Sequence, residues 1–201
     1  MDYTSHHLEK AVQEIHGLPG IGEKTALRLA LHLLRTEEGR VRALAESLVN
    51  LKTKVKRCEN CGNLSDTAVC HICQQPNRQH DLVCVVEDIR DVMAIEHTGQ
   101  YRGIYHVLGG VISPMDGIGP GDLNVARLEE KAAQGELSEV ILALRGDMEG
   151  DTTSFYLYKR LKDHPVKLST LARGIAVGDQ LEYTDEVTLG QSIARRVPYQ
   201  G

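Results

Sequence analysis

Apolar residues recur at helical spacing over the first fifty positions and gather into short runs after position 81, so the chain changes character along its length. Leu8, Val12 and Ile15 share one face of a helix over 5–15. The following His16-Gly17-Leu18-Pro19-Gly20-Ile21-Gly22 cannot stay helical. A second helix over 23–34 carries Ala26, Leu27, Ala30, Leu33 and Leu34 on one side, and a third over 37–50 carries Val41, Leu44, Ala45, Leu48 and Val49. Beyond Asp81 the runs at 82–86, 103–108, 139–144 and 166–171 read as strands. They alternate with helical patterns at 89–98, 122–133 and from about 147 to 162. That alternation predicts a four-stranded, mainly parallel sheet with helices on its faces, hence an α/β fold class. Asp185 suits the N-cap of a last helix reaching about Arg195, which gives a C-terminal helical segment.

Between the two parts lie Cys58-Glu59-Asn60-Cys61 and Cys70-His71-Ile72-Cys73, two Cys-x-x-Cys pairs separated by eight residues. Pairs at this spacing present four sulfurs to one tetrahedral zinc. Roughly fifteen residues with little apolar content cannot fold alone, so a metal supplies the missing free energy. Four sulfurs with no open position describe a structural rather than a catalytic ion. His71 is then a surface residue within the second knuckle. Disulfides are the competing pairing; the N-terminus lacks a secretion signal, which disfavours them. The fifth cysteine, Cys84, lies in the apolar run 82–86 and is expected to be buried. No apolar stretch is long enough for a membrane span, and a cytoplasmic protein is expected.

Charge divides at the same place. Residues 1–57 hold ten Lys/Arg against seven Asp/Glu, or +3, which leaves −8 for the remainder of a chain whose net charge is −5. On its own that imbalance is only a solvated surface. The hairpin sharpens it. Gly20 and Gly22 flank Ile21 and let the backbone turn tightly against a phosphate, while the next helix points its free amides there. Lys24 and Arg28 add charge, Thr25 adds a hydroxyl, and Ile21 plugs the hairpin. The predicted device is a helix–hairpin–helix that reads DNA backbone without sequence preference. A nucleotide-binding P-loop is excluded, because Glu23 intervenes between Gly22 and Lys24 and a helix precedes the turn. Lys52, Lys54, Lys56 and Arg57 serve equally well as phosphate contacts or as a solvated face.

In parallel sheets ligands bind beyond the carboxyl ends of the strands. Glu87 and Asp88 follow the first strand; Asp147, Glu149 and Asp151 follow the third. Asp88 and Asp147 are expected to cap helices. Glu87, Glu149 and Asp151 are assigned to a specific site, which oxygen-only ligands would suit to Mg2+ if the strands are neighbours.

Motifs along the whole chain carry a family resemblance. They are Leu18-Pro19-Gly20-Ile21-Gly22-Glu23-Lys24, the cysteine pairs, Tyr105-His106-Val107-Leu108-Gly109-Gly110, Glu149-Gly150-Asp151, Ala172-Arg173-Gly174 and Leu181-Glu182-Tyr183 with Asp185 to Leu189. In these the chain resembles the bacterial RecR family of recombination mediators. The resemblance implies a helix–hairpin–helix region (1–56), a four-cysteine zinc motif (57–78), a Toprim domain (79–175) and a Walker-B-like assembly segment (176–201). It implies non-catalytic work in RecF-pathway repair: with RecO, and in some settings RecF, loading RecA onto single-stranded DNA coated by single-strand-binding protein. Homodimers and a ring-like tetramer around DNA are implied, with Lys24 and Arg28 on DNA and Glu87, Glu149 and Asp151 engaging RecO. The alternative is a small Mg2+-dependent Toprim nuclease. Two departures stand out: Glu149-Gly150-Asp151 replaces the enzymes' Asp-x-Asp, and Arg145-Gly146-Asp147-Met148 replaces the family's common Asn-Pro-Thr-Val.

Overall fold

The computed structural model describes residues 4–199. They form two compact units that divide after Val55. The first contains helices α1 (His6–His16), α2 (Glu23–Arg35) and α3 (Glu38–Lys54). Ser5 starts α1 by accepting a hydrogen bond from the Leu8 amide. Val12 packs on Ala26 and Ala30, with Leu8, Ile15, Ile21 and Leu27 around them. Alanine on α2 leaves room for close approach, so this small core closes between two helices. α3 runs four residues past its expected end and takes Lys52 and Lys54 into its last turn, where positive charge complements the helix dipole. None of its residues is buried, and Leu44, Leu48 and Val49 lie exposed. The apolar face that periodicity assigns to α3 is thus left unburied. Leu34 is likewise exposed, because the α1–α2 core ends before it.

The second unit opens with a short hairpin, β1 (Lys56–Arg57) against β2 (Leu64–Ser65), and the short helix α4 (His71–Gln74). Then follow β3 (Gln79–Val86), α5 (Ile89–His97), β4 (Gly103–Val107), α6 (Ala126–Ala133), β5 (Glu139–Ala143), α7 (Met148–Leu161), β6 (Lys167–Thr170) and α8 (Glu186–Ala194). The four long strands form one sheet in the order β4-β3-β5-β6, and every pairing is parallel. α6 begins later than the apolar pattern suggested. Asp122 accepts the Gly119 amide in a 3-10 turn, and Leu123 and Val125 enter the core before the helix starts.

Alternation along β3 separates two cores. Val83 and Val85 face one side, with Ile104, Leu128, Val140, Leu142, Leu157 and Leu161. Cys84 and Val86 face the other, with Tyr105, Val107, Val92, Ile72 and the four paired cysteines. The cysteine motif and α5 therefore cover the sheet face opposite α6 and α7. Burial of Cys84 pushes its thiol up to about 12, as befits an inert packing residue.

Candidate functional site

The four cysteines are all buried, and their sulfurs lie within 4.8 Å of one another. Cys61 Sγ and Cys70 Sγ are 3.6 Å apart. Tetrahedral zinc with Zn–S bonds of ~2.3 Å sets sulfurs about 3.8 Å apart, so the donors fit. The knuckle turns explain the convergence. Gly62 N donates to Cys58 O (2.9 Å), and Gln74 N to Cys70 O (3.1 Å). Gly62 holds φ +75°, and Val107 N donates to Cys61 O (2.7 Å), which ties the first knuckle to β4. The Cys70 amide points at Cys58 Sγ (3.2 Å), as it would to a thiolate. The hydrogen bonds between these sulfurs and their burial raise the Cys61 thiol, while the bond to Cys61 lowers Cys70; metal binding requires all four as thiolates.

In the first unit, Gly20 adopts φ +78°, and the Ile21 amide closes the turn onto Leu18 O at 3.1 Å. His16 Nδ1 donates to Ile21 O (2.9 Å), fixing the hairpin from the end of α1. Ile21 packs on the α1–α2 core, as a plug should. Gly22 is the N-cap of α2, and no side chain caps the amides there. Gly20 and Gly22 are exposed, and a Cβ built on either would meet nothing within 4 Å, so the surface at the start of α2 is unobstructed. Lys24 and Arg28 are exposed one turn apart on the same face. An exposed helix N-terminus beside two cations is chemically suited to an anion such as a phosphate.

The third set lies at the carboxyl edge of the sheet. β3 and β5 are adjacent, with Val86 paired to Ala143, so Glu87 and the segment after β5 come together. Asp88 caps α5 in a capping box with Asp91, and Asp147 caps α7 by accepting the Gly150 amide (2.8 Å). Arg145 fills the centre. Its guanidinium lies 3.0 Å from Asp147 Oδ2 and 3.8 Å from Glu87 Oε2, and it bonds Glu149 Oε2. Asp151 is held separately by Arg173 (2.6 Å), which lowers the Asp151 pKa. Burial raises Glu87, with Arg145 opposing. Among the described residues, the paired cysteines are the sole group of three or more His, Cys, Asp or Glu donors within metal-ligating reach of one another. One oxygen of each carboxylate faces an arginine, with hydrogen bonds at Glu149 and Asp151 and a 3.8 Å approach at Glu87, and these acids do not converge on a common point for Mg2+. Arg145 and Arg173 stand in motifs that the sequence analysis quotes, but sequence reasoning gave neither a role at this site. Their signal was position: Arg145 stands two residues beyond the end of β5.

Among the described residues no helix is long and apolar enough to cross a membrane. A helix–hairpin–helix followed by a four-cysteine zinc motif on a Toprim sheet defines a class of recombination protein, and family models match in that order. The RecR helix-hairpin-helix matches residues 8–52, the RecR four-cysteine zinc finger domain 55–74, the Toprim domain 81–172 and the RecR C-terminal model 174–197. Proteins called recombination protein RecR are 58% identical over 200 residues in Flavobacterium psychrophilum, covering 100% of this chain and 97% of the relative, and 59% identical over 199 residues in Bacteroides fragilis, covering 99% and 97%. The chain belongs to the RecR family.

Proposed function

We propose that this protein is a non-catalytic, DNA-binding recombination mediator of the RecF pathway. It acts with RecO, and with RecF, to load RecA onto single-stranded DNA coated by single-strand-binding protein, working as a homodimer or ring-like tetramer. Single- and double-stranded DNA are held through the hairpin at Gly20 and Gly22 with Lys24 and Arg28. Glu87, Glu149 and Asp151 form the surface for RecO, and the four cysteines hold a structural zinc.

The observation that carries the DNA reading is the uncapped start of α2, open to solvent beside two exposed cations. The RecO and RecA steps rest on the family likeness. The arginine-tied carboxylates disfavour a nuclease, because metal-assisted phosphoryl transfer needs free carboxylate oxygens on the ion. The test is fluorescence anisotropy on labelled single- and double-stranded oligonucleotides across a salt series. Lys24→Ala combined with Arg28→Ala is expected to weaken binding at least about tenfold for every sequence and to reduce the salt slope by about 2. An unchanged slope would remove the hairpin from the DNA contact. Incubating the zinc-loaded protein with Mg2+ and gapped DNA is expected to give no cleavage; cleavage lost in Glu87→Ala would overturn the mediator reading.

A further inference from the structure

We propose that Arg145 is a resident counter-cation that takes the place of a divalent ion in the acidic site and makes that site refractory to metal. The sheet brings Glu87, Asp147 and Glu149 to one edge, where like charges repel unless something positive stands between them. The Arg145 guanidinium meets all three. Mg2+ needs near-octahedral oxygen positions, and a guanidinium that faces one oxygen of each carboxylate, hydrogen-bonded to Glu149 and 3.8 Å from Glu87, stands where the ion would have to sit.

The arginine is placed by the backbone rather than by side-chain drift. A Cβ on Gly150 would sit 2.0 Å from the Arg145 carbonyl oxygen, so only glycine lets the first turn of α7 close over this residue. Gly146 similarly faces the Arg173 guanidinium, whose Nε would lie 3.4 Å from an added Cβ. Arg173 then occupies Asp151. The segment 145–151 is thus folded around two internal cations, and a basic residue here does the work that an ion does in a metal-dependent site.

This concerns the same acidic surface as the RecO contact proposed above. Its test uses neither DNA nor partner, so its failure would leave that reading standing. Mn2+ serves as the probe, titrated into the full-length zinc-loaded protein with free Mn2+ read by electron paramagnetic resonance. The wild type is expected to show no saturable site below about millimolar Mn2+. Arg145→Ala is expected to gain a saturable site at least about tenfold tighter, lost again when Glu149→Gln is added. Arg145→Lys keeps the charge and is expected to stay silent, as a resident counter-cation requires. Arg145 is 40% exposed, so these variants are expected to melt as the wild type does; should Arg145→Ala not, Arg145→Gln carries the same test. Saturable binding to the wild type that Glu87→Gln or Glu149→Gln abolishes would overturn the proposal. So would the absence of any gain in folded Arg145→Ala.

Discussion

His106 is buried on β4, and its Nε2 donates to the Asn124 carbonyl, which fixes the neutral tautomer. Burial pulls its pKa down to about 4, against the pull of that hydrogen bond. The unfolded ring titrates near ~6.5. The stability carried by the neutral ring is therefore complete above about 6.5 and is lost as pH falls toward the folded value. Urea melts at several pH values are expected to show a loss of about 3 kcal/mol across this window relative to His106→Gln, which cannot charge. Parallel profiles for the two proteins would mean that the ring is not held neutral. Gly62 is a second such point. An added Cβ would stand 2.7 Å from Asn124 Nδ2 and 2.8 Å from the Val107 carbonyl, at a φ that side chains avoid. Gly62→Ala is expected to cost about 2 kcal/mol and to release metal faster to a chelating dye; unaltered release would separate the turn from the zinc site.

Elements are tied together by a partly buried ion pair. Arg78, just before β3, donates from both terminal nitrogens to Glu96 on α5 (2.8 and 2.5 Å) and also to the Gly103 carbonyl of β4 (3.1 Å). Tyr105 donates to the same carboxylate at 2.6 Å. These bonds hold Glu96 below its usual range. Arg78→Ala strands that carboxylate and is expected to cost about 3 kcal/mol in urea unfolding. Arg78→Ala with Glu96→Gln should cost less than the sum of the two single changes, whereas strict additivity would deny the coupling. This network was illegible in the sequence, because Arg78 stands eighteen positions from Glu96 and farther still from Gly103, and no local pattern joins them. The strand at 82–86 was legible because both of its faces are buried and it reads as unbroken apolar residues. Its polar extension to Gln79 was not, and neither were the two-residue strands β1 and β2, whose pairing comes from the knuckle between them. The hairpin glycines and the cysteines announce themselves by local spacing. Arg145 does not: its role exists only once β3 and β5 lie side by side.

For the molecule as a whole, the cysteines matter through what they cover. Cys58, Cys61, Cys70 and Cys73 share a core with Cys84, Val86, Tyr105 and Val107 of β3 and β4. The four-cysteine motif is thus one layer of the α/β unit. Cys58→Ser is expected to lower the melting temperature and to raise amide hydrogen exchange along β3 and β4. Faster exchange confined to residues 58–73, with β3 and β4 as well protected as before, would show that the sheet does not depend on the motif. Because the four cysteines proposed to hold zinc are also core residues, zinc supply is expected to act on the stability of the whole α/β unit. A chain synthesised without the ion exposes one face of its sheet to proteases, and its lifetime, more than its DNA affinity, is expected to register zinc starvation first.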